Sequence, residues 1–133
     1  MIIGIGTDIC DIRRIRKLYD RHPERFPAKA FTEAEREKCL ARPDPVPCFA
    51  KRFAAKEAVA KALATDESGA LSWHDVEVYN DKSGRPGVLL YGGAKARLQT
   101  ILPEGHTAHI RLSLSDEVDF AVAFAVVEAR LGC

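Results

Sequence analysis

The stretch Phe49 to Leu63, FAKRFAAKEAVAKAL, constrains this chain more than any other, because it places ionisable residues where a helix needs apolar ones. At about 100° per residue, Phe49, Phe53, Ala60, Leu63 and Ala64 share one arc of a helix. Lys56 lies inside that arc, Glu57 on its flank between Ala64 and Ala50, and Lys61 one step further out. Charge on a buried face is costly unless it is paired, hydrogen-bonded or metal-bound. Ala54, Ala55, Ala58 and Ala62 are small, so other backbone can approach from several sides and the helix is expected to run through the middle of the molecule. Two readings stand open: a lysine that snorkels while Glu57 and Lys61 form an i,i+4 pair, or a functional site.

The remainder of the chain is ordinary in bulk. Its 133 residues suit one domain, 1–133, and 47% hydrophobic with 29% charged residues is the balance of a globular protein without transmembrane spans. A net charge of +1 supplies no global field for nucleic acid. There is no apolar run of about 18 residues and no signal-peptide pattern at the Met1-Ile2-Ile3 start, so a cytoplasmic location without membrane contact is expected. Cys10, Cys39, Cys48 and Cys133 show no CxxC spacing, which favours reduced thiols over a disulfide framework or a zinc site.

Met1–Ile12 reads as a buried strand whose Gly4 and Gly6 mark a close backbone approach and whose Asp8 and Asp11 are out of place among isoleucines. Asp8 could equally be a turn or cap residue. The GxG here is not GxGxxG, and no second βαβ half follows, so a dinucleotide site is rejected. Ile12–Tyr19 reads as a helix, followed by an irregular piece around Pro23 and Pro27. Arg13, Arg14, Arg16, Lys17, Arg21 and Arg25 form a concentrated basic face, either plain solvated surface or a dock for an acidic partner. Thr32 and Glu35 form a capping box that opens a helix to Leu40, and Pro43, Pro45 and Pro47 separate it from the alanine-rich one. Asp66–Ala70 is a loop. Trp73–Asn80 and Val88–Tyr91 make a hairpin with a Gly- and Pro-rich tip carrying Arg85, Gly92–Leu102 a helix, and His109–Ser115 with Phe120–Glu128 an antiparallel pair that finishes the sheet. The fold class is therefore α+β with a mainly antiparallel sheet around a central alanine-rich helix. His106 and His109 lack a third ligand and are not read as a metal pair.

GIGTDI, RFAAKEAVAKAL, WHDVEVYNDKSGRPGV and the terminal SLSDE with AVAFAVVEA occur as four separated blocks in order. Together they resemble the small-type 4′-phosphopantetheinyl transferases, the holo-[acyl-carrier-protein] synthases. That resemblance implies transfer of the 4′-phosphopantetheine arm of coenzyme A to a serine of apo-acyl carrier protein, with release of adenosine 3′,5′-bisphosphate, in support of fatty acid biosynthesis. It implies Asp8 and Glu57 as Mg²⁺ ligands, Glu57 and Lys61 as catalytic residues, and Lys61 against the pyrophosphate. Arg52, Gly84, Arg85 and Pro86 become coenzyme A contacts, and Arg13, Arg14, Lys17 and Arg21 the dock for the acidic carrier. It further implies a homotrimer with sites between protomers. Asp116 stands where many relatives have histidine, so no role for that histidine transfers.

The residue types suit the chemistry. Attack on a pyrophosphate phosphorus develops oxygen charge, and magnesium neutralises it using only one or two protein carboxylates beside phosphate oxygens and waters. Lys61, one turn beyond Glu57, can face the same phosphate. The proton acceptor stays open among a water, Glu57 acting through a water, and Glu35. The rival readings are a magnesium-dependent nucleotide phosphohydrolase and a non-catalytic coenzyme A-binding trimer.

Overall fold

The computed structural model describes residues 1–66 and 69–132. Its elements follow as β1 (Ile2–Asp11), α1 (Ile12–Arg21), α2 (Arg25–Ala30), α3 (Glu33–Leu40), α4 (Val46–Ala62), a 3₁₀ turn (Trp73–Asp75), β2 (Val76–Asn80), β3 (Pro86–Leu90), α5 (Gly92–Ile101), β4 (His106–Asp116) and β5 (Phe120–Leu131). The last strand is central: β5 pairs antiparallel with β1 on one side and β4 on the other. The α+β class with antiparallel pairing holds, and the alanine-rich helix is the element laid across this sheet.

Alternation along β5 explains the packing. Ala121, Ala123, Ala125, Val127 and Ala129 point inward and are fully buried, while Phe120, Val122 and Phe124 point outward. On β1 the inward stripe is Gly4, Gly6, Asp8 and Cys10. A Cβ on Gly4 would stand 2.0 Å from the Ala62 carbonyl oxygen, and one on Gly6 would stand 2.0 Å from that of Ala58. The helix therefore rests almost backbone to backbone on the sheet, with Ala54, Ala55 and Ala58 completely enclosed. Its other side meets Phe31, whose ring centroid is 4.7 Å from that of Phe49, in a cluster that also takes in Tyr19 and Phe26.

Five expectations need correction. The piece after Arg21 is not irregular throughout: Arg25–Ala30 is helical, and Pro27 fits because first-turn N–H groups have no intrahelical acceptor. α1 itself runs on to Arg21, and Trp73–Asp75 is a 3₁₀ turn rather than the start of a strand. The hairpin does not join the main sheet: β2 and β3 pair only with each other, and the main sheet is the three strands β1-β5-β4. The cysteine reading also fails. Cys39 and Cys48 are bonded, because the proline-bearing connection folds back and brings their Cα atoms to 5.4 Å, a proximity no short sequence spacing encodes. Cys10 is buried and free. Cys133 and positions 67 and 68 of the expected Asp66–Ala70 loop lie outside the described residues.

Candidate active site

Asp8, Glu57 and Lys61 come together where β1 crosses the C-terminal half of α4. Asp8 belongs to the stripe that Gly4 and Gly6 hold against the helix, and Lys61 reaches across to it. The Lys61 ammonium donates to the Thr7 carbonyl at 2.9 Å and to Asp8 Oδ1 at 3.2 Å. The i,i+4 pairing of Lys61 with Glu57 is thus replaced by a bridge to the strand. Partial burial raises the Glu57 carboxyl above the ordinary glutamate value, and the negative charge of Asp8 adds to it; Lys61 and Arg14 pull the other way. A glutamate whose carboxyl is raised in part by a neighbouring aspartate charge marks, with that aspartate, a natural cation-binding pair.

Glu57 and Lys61 line a cleft of about 430 Å³ together with apolar Leu71, Trp73 and Val76 and with Ser72 and Arg97. Phe53 stacks on Trp73 with centroids 4.8 Å apart and stiffens that lining. Lys56 also faces the cleft, yet its ammonium is committed elsewhere. It lies 2.6 Å from Glu35 Oε1 and donates to the carbonyls of Trp73 and Val76 at 2.6 and 2.5 Å. Burial lowers the Lys56 pKa, and the Glu35 carboxylate opposes that shift. Glu35 is equally committed: Oε1 accepts from Thr32 N at 2.8 Å and Oε2 from Val78 N at 2.8 Å, with its side chain fully enclosed. The capping box forms as its sequence predicts, and Glu35 has no oxygen open to a substrate proton.

A second cleft, of about 140 Å³, is lined by Arg42, Lys51, Arg52, Asn80, Gly84, Pro86 and Leu114. Three of the four anticipated coenzyme contacts meet here. Arg52 is buried, donating to Asn80 Oδ1 at 2.8 Å and to Cys48 Sγ at 3.4 Å, and its Nε finds no acceptor among the described residues. Gly84 adopts φ 88°, the left-handed turn that a glycine permits, with Asp81 folding the tip through its bonds to the N–H groups of Ser83 and Arg85. The Arg85 side chain is exposed and does not line the cleft. Arg52 and Glu57 stand about 140° apart around α4 and roughly 7.5 Å apart along it, and the two clefts share no residue. Sequence reading missed Arg42, Lys51 and Asn80, which arrive from both sides of the proline-bearing connection and from the end of β2. Asp116 sits near this rim, 3.3 Å from Lys51 Nζ.

Of the basic residues on α1, Arg13 forks onto Asp11 at 2.9 Å through two nitrogens, and Arg16 pairs with Asp44 at 2.7 Å. Asp11 also caps the helix by accepting from Arg13 N, a structural role for the second carboxylate of β1. Arg14 is exposed, with its guanidinium 5.9 Å from the Phe53 ring centroid and near enough to be felt by Glu57. Lys17 and Arg21 are exposed. His106 and His109 project from opposite faces of β4.

Comparison with known proteins shows the family. Residues 4–125 match the family model of the 4′-phosphopantetheinyl transferase superfamily. The chain is 50% identical over 129 residues to the holo-[acyl-carrier-protein] synthase of Methylorubrum populi, covering 97% of this chain and 95% of that protein. Its fold is similar to the crystal structure of the holo-[acyl-carrier-protein] synthase from Neisseria meningitidis, with a TM-score of 0.80 and 38% identity over 96% of this chain and 99% of that one. It is also similar to the Bacillus anthracis protein in complex with coenzyme A (3′,5′-ADP), with a TM-score of 0.73 and 35% identity over 96% of both chains. On these grounds the chain belongs to the holo-[acyl-carrier-protein] synthases, enzymes of the 4′-phosphopantetheinyl transferase superfamily.

Proposed function

We propose that this chain transfers the 4′-phosphopantetheine arm of coenzyme A to a serine of an apo-acyl carrier protein, leaves adenosine 3′,5′-bisphosphate, and serves fatty acid biosynthesis in the cytoplasm. The observation that carries this reading is the meeting of Asp8, Glu57 and Lys61 beside a cleft that Glu57 and Lys61 line. An arm that is mostly chain and amide suits the apolar lining of Leu71, Trp73 and Val76, with its phosphate against Glu57 and Lys61. Asp8 and Glu57 fit a divalent cation, two neighbouring carboxylates being the usual protein share for magnesium. When bound, magnesium would neutralise the charge that develops on the pyrophosphate oxygens as the serine oxygen bonds to the phosphorus of the arm and the P–O bond to the departing adenosine 3′,5′-bisphosphate breaks. Lys61 holds Asp8 in orientation and offers its remaining donor to the pyrophosphate. Glu57, whose carboxyl burial has raised, is a suitable acceptor for the serine proton through a water.

The adenosine end requires another anion site, and the cleft of Arg42, Lys51 and Arg52 with Gly84 and Pro86 has the chemistry for it. Separation of the two clefts around α4 favours a ligand that lies across two protomers. Ile5, Ile9, Val122 and Phe124 support the trimer, being 40–65% exposed on the sheet face turned away from α4. The acidic carrier would dock on α1 through Arg13, Arg14, Lys17 and Arg21. No helix among the described residues is long and apolar enough to cross a membrane.

Mass spectrometry of an apo-carrier protein after incubation with coenzyme A and magnesium tests the reading. A phosphopantetheine adduct on serine is expected. Release of adenosine 3′,5′-bisphosphate without any carrier points to a hydrolase, and coenzyme A binding without turnover points to a binding module.

A further inference from the structure

Lys56 is the anomaly that the reaction does not absorb. It is adjacent to Glu57, lines the first cleft, and is 2% exposed. A cation in a phosphate-binding cleft is ordinarily a ligand, but the three acceptors around its ammonium match the three N–H bonds it possesses. It presents only its aliphatic stem to the cleft. Each acceptor belongs to a different anchor. The Trp73 and Val76 carbonyls are the ends of the 3₁₀ turn and the start of β2, the two side chains of which form the cleft wall. Glu35 is itself fixed to the N-terminus of α3 and to Val78.

We infer that Lys56 and Glu35 are positioning residues that brace this wall against α4 and thereby set the fit of the pantetheine arm. The inference rests on the reading of the cleft given under the proposed function. Neither Lys56 nor Glu35 lines the second cleft, and removing Lys56 leaves in place the Glu35 carboxylate that supports the charge of Arg52, so loss of the lysine weakens binding of the arm more than binding of the adenosine end. Adenosine 3′,5′-bisphosphate, which lacks the arm, is the internal control.

Equilibrium binding of coenzyme A and of adenosine 3′,5′-bisphosphate is measured on the intact protein and on Lys56→Met. Because that change leaves a buried carboxylate without its partner, Lys56→Met with Glu35→Gln is the second variant. The expected result is a coenzyme A affinity that falls about tenfold more than the bisphosphate affinity does in both variants, and a KM for coenzyme A that rises more than kcat falls. Equal loss for both ligands, or no loss for either in a folded variant, overturns the brace. On the wild-type chain, coenzyme A must slow amide exchange over residues 73–78 and the bisphosphate must not; equal protection by both also overturns it. Should the wild-type chain bind no coenzyme A, the proposed function fails first.

Discussion

Replacing Gly6 by alanine probes the contact on which the whole site is built. The new Cβ would lie 2.0 Å from the Ala58 carbonyl oxygen and 2.8 Å from Ala62 N. That is about 1.3 Å short of the ~3.3 Å at which carbon and carbonyl oxygen ordinarily meet. Both obstructing atoms are backbone of α4, so no side chain can swing aside, and the helix must retreat from β1. Overpacking of this kind costs about 3 kcal/mol, the upper part of the usual range. In a domain of this size that corresponds to a Tm roughly 10 °C lower in a thermal melt. The same retreat separates Asp8 from Glu57 and Lys61, and a displacement near 1 Å lowers turnover by about a hundredfold. Gly69→Ala, whose Cβ would meet nothing within 4 Å, is the stability control. A Gly6→Ala protein with the wild-type melting point and turnover would refute the claim that the helix rests on the glycine stripe.

Glu57→Gln removes the charge of the paired carboxylates while keeping shape, so the melting point should hold while turnover falls by about a hundredfold or more and extra magnesium does not restore it; wild-type rates at any magnesium concentration refute the pair. Lys17→Glu with Arg21→Glu, both on the exposed face of α1, should raise KM for the carrier by about tenfold at low salt and less at high salt, which steady-state kinetics at two ionic strengths will read. Ile9→Asp, on the outward sheet face where Ile9 is 65% exposed, should shift the chain to a monomer by light scattering and take coenzyme A binding with it; an unchanged mass refutes assembly through that face. Reducing the Cys39–Cys48 bond should lower unfolding free energy by about 2–3 kcal/mol in denaturant titration, the loop-entropy value for so short a span, and Cys39→Ser should show the same value without reductant.

By itself the sequence determined the periodic and local features: the alanine-rich helix, the Thr32–Glu35 capping box, the hairpin around Ser83-Gly84, and the alternation of β5. It also marked Lys56, Glu57 and Asp8 as charges out of place. These were legible because periods of 3.6 and 2, and cap chemistry, act over a few residues. Which group each misplaced charge lies beside was decided only in three dimensions. Lys56 and Glu57 are neighbours in sequence, yet one is bound to Glu35 and two carbonyls and the other looks onto Asp8, because successive helical residues point about 100° apart toward different elements. The bond between Cys39 and Cys48, the bridge from Lys61 to Asp8 and the gathering of Arg42, Lys51, Arg52 and Asn80 likewise join segments that no local pattern relates. Tertiary structure alone decided them, since α4 closing onto the glycine and alanine stripes of the sheet is what fixes which distant side chains can meet.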